Sequence, residues 1–319
     1  MTDHNQPVPD RHYAVGDMPP RANTDHVKRK FLDIPYASTS QAQKLDIYLP
    51  DEGDGPFPVI VSIHGGAFMG CDKADVQVLP MLEGLKRGYA VVAVNYRLSW
   101  EAKFPALVQD AKAAIRWIRA NAPRYGFDPD RIAAWGGSAG GYQAAMLGVS
   151  AHIRELQDPD LGNADQACNV QAVVTWFGPT DFLKMDGYLI ERGLTPLPGM
   201  EHSAADSPES LLLGYKITEV PERVKAANPE TYITADAPPF FIQHGVQDPV
   251  VPVQMSIHLA AKLEQAIGKN KVRLELLEGA GHADPQFETP ENVEKVMDWL
   301  DQHLKGVRQV QPTNSNRVM

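Results

Sequence analysis

Three residues far apart in the chain have the types and settings for nucleophilic catalysis: Ser138, Asp248 and His282. Ser138 lies in Gly136-Gly137-Ser138-Ala139-Gly140, a G-x-S-x-G match. An apolar run from Ile132 leads into it, and a helix-forming stretch, Tyr142 to Leu147, follows. This pattern suits a serine on a sharp strand-to-helix turn, its hydroxyl exposed above a sheet and beside a helix N-terminus that favours developing negative charge. The flanking glycines remove side chains that would crowd the turn. A serine hydroxyl is a poor nucleophile at neutral pH. It needs a base to take its proton, and the base needs a carboxylate to orient it. His282 offers the base in Gly279-Ala-Gly-His282, and Asp248 the carboxylate in Gly245-Val-Gln-Asp248, each just past an apolar strand-like run.

Other residues compete for these roles. A glycine turn can also cradle phosphate, but Tyr142-Gln143 follows these glycines where a P-loop has Lys followed by Ser or Thr. Ten histidines are present, and His64 and His244 also border strand ends; His282 is preferred for its glycine-bracketed loop after the last strand. Asp181 is the rival acid, while Asp284 is too near His282 in sequence to be its obvious partner. The oxyanion of an acyl-transfer intermediate needs preorganised N–H donors. The amides of Gly66 and Ala67, in His64-Gly-Gly-Ala67, are candidates, together with that of Ala139. Phe68, Trp100, Trp176, Phe177 and Tyr188 could line an acyl or aryl pocket, and each reads equally well as core packing. Arg97 and Asp110 read as a structural ion pair beneath the site. No metal-ligand spacing is evident, so neither a metal nor an organic cofactor is expected.

The elements that must hold these residues alternate. Apolar runs at Pro58–Ile63, Tyr89–Asn95, Arg131–Trp135, Val170–Phe177, Phe240–His244 and Val272–Glu278 read as strands, most of them buried on both faces. Helical spacing marks 79–87, 107–120, the stretch after Ser138, 253–267 and 291–304. Two earlier strands, 27–34 and 43–49, have no helix between them and suggest an antiparallel edge. The segment 182–237, broken by Gly and Pro, reads as a cap inserted at the carboxyl edge of the sheet, where α/β folds bind ligands. The expected organisation is a flexible arm over residues 1–25, one domain over 26–306 and a frayed tail over 307–319.

Composition narrows the class. The 319 residues are 43% hydrophobic and carry a net charge of −10, which provides a large core and argues against a nucleic-acid surface. No stretch approaches the ~18 apolar residues of a membrane helix. The N-terminus lacks the pattern of a secretory signal, and the two cysteines, Cys71 and Cys168, read as unpaired thiols of a cytoplasmic protein.

The ensemble His64-Gly-Gly-Ala-Phe68, Asn95-Tyr-Arg-Leu98, Phe104-Pro-Ala106, Gly136-Gly-Ser-Ala-Gly-Gly141, His244-Gly-Val-Gln-Asp248 and Gly279-Ala-Gly-His282 resembles the α/β-hydrolase superfamily over residues 26–305. The order Ser138, Asp248, His282 matches that fold. The motifs are most similar to esterases near the feruloyl/acetyl-xylan-esterase-like and hormone-sensitive-lipase-like branches. Ala67 stands where the latter often carry a third glycine, and the short polar N-terminus cannot form their large helical cap. The resemblance implies an α/β-hydrolase fold with a mainly parallel sheet and a small cap, hydrolysing small acyl or aryl carboxylic esters. Readings from other classes are an arylformamidase or small-peptide amide hydrolase using the same triad, and a non-catalytic binding protein on a hydrolase scaffold. The expected partner is a small-molecule ester, with no nucleic acid and no membrane span. Oligomeric state is not legible.

Overall fold

The computed structural model describes residues 18–196 and 201–306. Eight strands form one sheet: β1 Arg29–Pro35, β2 Lys44–Leu49, β3 Phe57–Ile63, β4 Ala90–Val94, β5 Phe127–Gly137, β6 Ala172–Trp176, β7 Phe240–Gly245 and β8 Val272–Leu277. Their spatial order is β1-β2-β4-β3-β5-β6-β7-β8. The pairs β1–β2 and β2–β4 are antiparallel and all others parallel; the short connection without a helix between β1 and β2 suits their antiparallel pairing. Helices α1 Leu79–Leu82, α2 Ala106–Ala120, α3 Ala122–Tyr125, α4 Ala139–Val149, α5 Met185–Glu191, α6 Pro208–Leu213, α7 Pro221–Ala227, α8 Gln254–Ile267 and α9 Pro290–Leu300 complete the chain. This is an α/β-hydrolase fold, with α5, α6 and α7 making the cap between β6 and β7.

The sheet is buried on both faces, which is why its inner strands are continuous apolar runs rather than alternating ones. Every residue of β3, β4, β6 and β7 is buried. One face packs Val59, Val61, Ile63, Val173 and Ile242 against α2, α4 and α8. The other packs Ile60, Val91, Ala133, Val174 and Phe241 against Met81, Leu82 and α9. In α2, Leu107, Ala111, Ala114, Ile115 and Ile118 all turn inward, at the spacing that marked the helix in the sequence.

Local differences from the sequence reading have tertiary causes. The helix expected over 79–87 is broken into α1 and a 3-10 turn, Glu83–Arg87. Gly84 lies at the break, where a Cβ would sit 2.7 Å from Ile60 Cδ1, so this segment is fitted to the sheet rather than to helical regularity. Strand β5 starts at Phe127, not Arg131, because Phe127 registers with Phe57 of β3. Pro123 occupies the first turn of α3, where its missing N–H costs nothing. The arm expected to be loose through residue 25 is docked from residue 18: Val76 N–H donates to Pro20 O (2.9 Å), Ala22 N–H to Ala74 O (2.8 Å), and Arg21 bridges Asp75. Residues 1–17 of that arm and the tail over 307–319 lie outside the described residues.

Arg97 and Asp110 do form an anchor. Asp110, fully buried, accepts from Arg97 Nη2 (2.7 Å), Arg97 Nε (2.9 Å), the Arg97 backbone N–H (2.8 Å) and Gln43 Nε2 (2.8 Å). The loop after β4 is thereby fixed to α2 and to the turn before β2. Both cysteines are free thiols, Cys168 buried and Cys71 half-buried. Among the described residues, no helix is long and apolar enough to cross a membrane.

Candidate active site

Ser138 occupies the turn between β5 and α4 with φ 54° and ψ −123°, a conformation L-residues rarely adopt. The flanking glycines permit it. A Cβ on Gly140 would lie 2.0 Å from Ile63 O, and one on Gly136 would lie 2.5 Å from Gly140 O. The end of β3 therefore approaches the turn at backbone distance, a packing that only glycine allows. Ser138 N–H donates to Trp176 O (2.9 Å) and Tyr142 N–H donates to Ser138 O (2.9 Å), locking the corner between β6 and α4.

The three sequence-picked side chains meet at the carboxyl edge of the sheet. His282 Nε2 is 3.1 Å from Ser138 Oγ, and its Nδ1 is 2.7 Å from Asp248 Oδ2. Asp248 follows β7, is fully buried, and its Oδ1 accepts the amides of Val250 (2.8 Å) and Val251 (2.9 Å). Burial alone would raise its pKa. The adjacent His282, with hydrogen bonds from His244 and His282, outweighs burial and holds the carboxyl well below the usual carboxylate range. Asp248 is thus an ionised acceptor in a dry setting. Asp284 caps the histidine loop by accepting Gly281 N–H (2.6 Å), and the Phe177 ring meets the imidazole edge-on at 4.8 Å between centroids.

The rival residues are occupied elsewhere. Asp181 is held by Lys184 (2.8 Å) and Asn228 (3.1 Å). His64 is buried, stacked on Tyr96 at 4.4 Å, with Nδ1 2.9 Å from Gly65 O. His244 lies behind the acid: Nε2 donates to Val251 O (2.8 Å) and lies 3.3 Å from Asp248 Oδ2, while Nδ1 meets Ser256 Oγ at 2.6 Å. Its two ring nitrogens are thereby engaged in tying the acid loop to α8.

A cavity of about 810 Å³ opens over Ser138 and His282. Gly66, Ala67 and Ala139 line it, and their amides have no acceptor among the described residues. Gly65 N–H, by contrast, is taken by Gln77 Oε1 (2.8 Å), and Gln77 is itself held by Asp75. The unspent donors are therefore those that an oxyanion beside Ser138 would need. Eight non-glycine residues have positive φ among the described residues, and five of them, Ala67, Phe68, Ser138, Phe177 and Ala283, line this cavity. Backbone strain of about 1–3 kcal/mol per residue persists only where surrounding structure enforces it, and it concentrates here.

Of the aromatics expected in the pocket, Phe68, Trp176 and Phe177 line the cavity. Trp100 and Tyr188 do not. Trp100 sits on the outward turn closed by Glu101 and Ala102 N–H on Leu98 O, and is 44% exposed. Tyr188, on α5, stacks on His258 of α8 at 5.2 Å between centroids. Leu211, Leu212 and Leu213 are buried in cap packing.

Sequence reasoning missed several residues. Pro19, Gln77, Val250 and Val251 also line the cavity, as do three ionisable cap residues, His202, Asp206 and Glu209. Among the described residues, no group of His, Cys, Asp and Glu side chains is arranged to hold a metal ion.

Residues 45–263 match the BD-FAE family. Among curated proteins the chain is similar to "Esterase LipQ" of Mycobacterium tuberculosis, at 35% identity over 79% of this chain and 56% of that one. It is also similar to "Probable isoprenylcysteine alpha-carbonyl methylesterase ICMEL1" of Arabidopsis thaliana, at 29% identity over 77% of this chain and 50% of that one. The chain spans a little over half the length of the first of these curated relatives. Among solved structures, a truncated carbohydrate esterase from gut microbiota superposes with a TM-score of 0.77 at 31% identity, covering 89% of this chain and 99% of that one. Native esterase 2 of Thermogutta terrifontis gives a TM-score of 0.67 at 25% identity, over 89% of this chain and 95% of that one.

Proposed function

The chain belongs to the BD-FAE family of the α/β-hydrolase fold, and from that premise we propose that it is a serine carboxylesterase cleaving small acyl or aryl esters. The observation that carries this is the unbroken contact chain Ser138 Oγ–His282–Asp248, at 3.1 and 2.7 Å, under a cavity lined by unspent amides. His282 Nε2 takes the Ser138 proton as Oγ attacks the ester carbonyl. Asp248 accepts from Nδ1–H, keeps the imidazole in the tautomer whose Nε2 is a free base, and stabilises the imidazolium that forms. The amides of Gly66, Ala67 and Ala139 hold the tetrahedral oxyanion. His282 protonates the departing alkoxide, and a water attacks the acyl-enzyme by the same route.

Phe68, Trp176 and Phe177, with Met69, Met81 and Phe287, supply apolar walls in keeping with a compact acyl or aryl group. The proposal extends to a cytoplasmic setting, which suits the free thiols of Cys71 and Cys168. Ser138→Ala is expected to lower kcat by about 10⁶-fold on an ester such as 4-nitrophenyl acetate while leaving the circular dichroism spectrum unchanged. Hydrolysis at near-normal rate by that variant would overturn the proposal. An amidase using the same residues would be recognised by faster cleavage of an anilide than of its matched ester.

A further inference from the structure

The polar arm before β1 is bound along the segment that follows the oxyanion loop. Pro20 O accepts Val76 N–H (2.9 Å), Arg21 bridges Asp75 as an antiparallel pair, and Ala22 N–H donates to Ala74 O (2.8 Å). Extended by one residue, this register sets Pro19 beside Gln77, and both line the cavity over Ser138. One residue earlier, Met18 Sδ accepts Cys71 N–H (3.3 Å). The composition suits such a strap. Pro19 and Pro20 have no N–H to leave unpaired beside the cavity, and their fixed φ lowers the conformational entropy lost on docking.

The segment it binds controls the candidate oxyanion donors. Gln77 Oε1 accepts Gly65 N–H (2.8 Å), and Gln77 Nε2 donates to Asp75 Oδ2 (3.1 Å). Asp75 is buried, and its carboxylate also accepts the amides of Asp72 (3.1 Å) and Gln77 (3.0 Å). Between Gly65 and Gln77 the loop turns through Ala67 (φ 51°), Phe68 (φ 65°) and Cys71 (φ 70°), all non-glycine residues in the left-handed region. Such a backbone persists only where its surroundings enforce it. The strap supplies part of that enforcement. Met18 holds Cys71, while Pro20, Arg21 and Ala22 hold the three residues before Gln77.

We propose that the strap over residues 18–22 is a working part of the active site: Pro19 limits the size of the ester group admitted, and the strap steadies the loop that presents the Gly66 and Ala67 amides. The proposal rests on the esterase reading above. Pro19 is half-buried and lines the cavity with Met69, Val76 and Met81, so its ring extends an apolar wall. The group it meets can be the acyl chain or the leaving alcohol, and two pairs of esters distinguish them. 4-Nitrophenyl hexanoate against 4-nitrophenyl acetate tests the acyl side. Hexyl acetate against ethyl acetate tests the alcohol side.

The readout is the ratio of kcat/KM, large ester over small, within each pair. Pro19→Trp is expected to lower one of the two ratios by about 10-fold or more, the discrimination that a change of a methylene or two produces in a hydrophobic pocket. Pro19→Gly is expected to raise the same ratio. A tryptophan that displaced the strap instead would also raise it, and would report the same wall. Asn23→Trp, a like enlargement at an exposed position of the arm outside the cavity lining, should leave both ratios in place. Ala22→Pro deletes the N–H that hooks the strap to Ala74 O. It should lower kcat on 4-nitrophenyl acetate by about 2–10-fold, the range of one net hydrogen bond, with KM little changed. Ratios that neither Pro19 variant moves overturn the wall, and an unchanged kcat in Ala22→Pro overturns the support of the oxyanion loop. Failure of wild type to hydrolyse any of the four esters overturns the esterase reading and the role of the strap together.

Discussion

Asp248→Asn is the sharpest test of how this site is wired, because each carboxylate oxygen has its own donors. Oδ1 accepts two backbone amides, Val250 at 2.8 Å and Val251 at 2.9 Å. Oδ2 faces His282 Nδ1 at 2.7 Å, with His244 Nε2 at 3.3 Å. An asparagine keeps one oxygen and must choose. With its oxygen towards His282, its NH₂ confronts two buried amides, and leaving both unsatisfied costs about 2–6 kcal/mol in all. With its oxygen on the amides, its NH₂ faces His282 and donates to Nδ1. The imidazole proton then moves to Nε2, pointing at Ser138 Oγ, and the base is lost. The second arrangement wins, leaving about 10⁻¹·⁵ to 10⁻⁴·⁵ of the molecules with the working tautomer. Loss of the negative charge opposite the imidazolium removes further transition-state stabilisation. The expected fall in kcat is about 10⁴-fold, or about 5.5 kcal/mol in the barrier. Steady-state hydrolysis of 4-nitrophenyl acetate by the folded variant measures it. Retention of more than a tenth of wild-type kcat would refute the assignment of Asp248 as the residue that selects the tautomer.

Two further outcomes follow from buried charges. His202 has a folded-state pKa raised to about 9, above its unfolded value of about 6.5, so its pairing contributes stability that is complete below pH 6.5 and is lost as pH rises through 9. The unfolding free energy of wild type relative to His202→Gln, from urea titrations, should therefore shrink between pH 7 and 10 by an amount on the order of 3 kcal/mol, and a constant difference would contradict the pairing. Asp110→Ala strands the Arg97 guanidinium, its backbone N–H and Gln43 Nε2, and should cost about 3–5 kcal/mol in equilibrium unfolding. The loss of stability should come without loss of turnover per folded molecule; a large drop in kcat at low temperature would show that this anchor also shapes the site.

The residues that meet over Ser138 were legible because the fold constrains where chemistry can stand. Apolar strand runs end in glycine-rich loops at one edge of a parallel sheet, and Gly136–Gly141, Gly245–Asp248 and Gly279–His282 are such endings. Side-chain type and loop position singled out His282, which the structure places beside Ser138, over His64 and His244, which also border strands but make stacking and loop-tying contacts. Aromatic residues carried no such information. Trp100 and Phe68 both belong to loops at the same edge, yet one faces out and the other in. The difference lies in a pairing invisible in sequence: Ser99 N–H donates to Phe68 O, fixing Phe68 under the cap while Trp100 continues past it on the surface. The start of β5 at Phe127 is likewise set by its partner Phe57, not by its own propensity.

The cap was the least readable segment for a related reason. His202 and Glu209 are separated by a turn and a proline, follow no helical or strand period, and become neighbours only because Asp186 and Val250, from two other elements, seize His202. That arrangement couples the cap to the chemistry. Val250 gives its carbonyl to His202 and its amide to Asp248, so a single residue of the acid loop joins the cap wall to the carboxylate that orients the base. Displacing the cap would draw on the same peptide units that hold Asp248. Movement of His202 would therefore bear mechanically on the loop that holds Asp248 against His282. Substitutions in the cap should accordingly change kcat as well as KM, whereas substitutions in the apolar wall at Met81 or Phe287, which share no hydrogen bond with that loop, should act chiefly on KM.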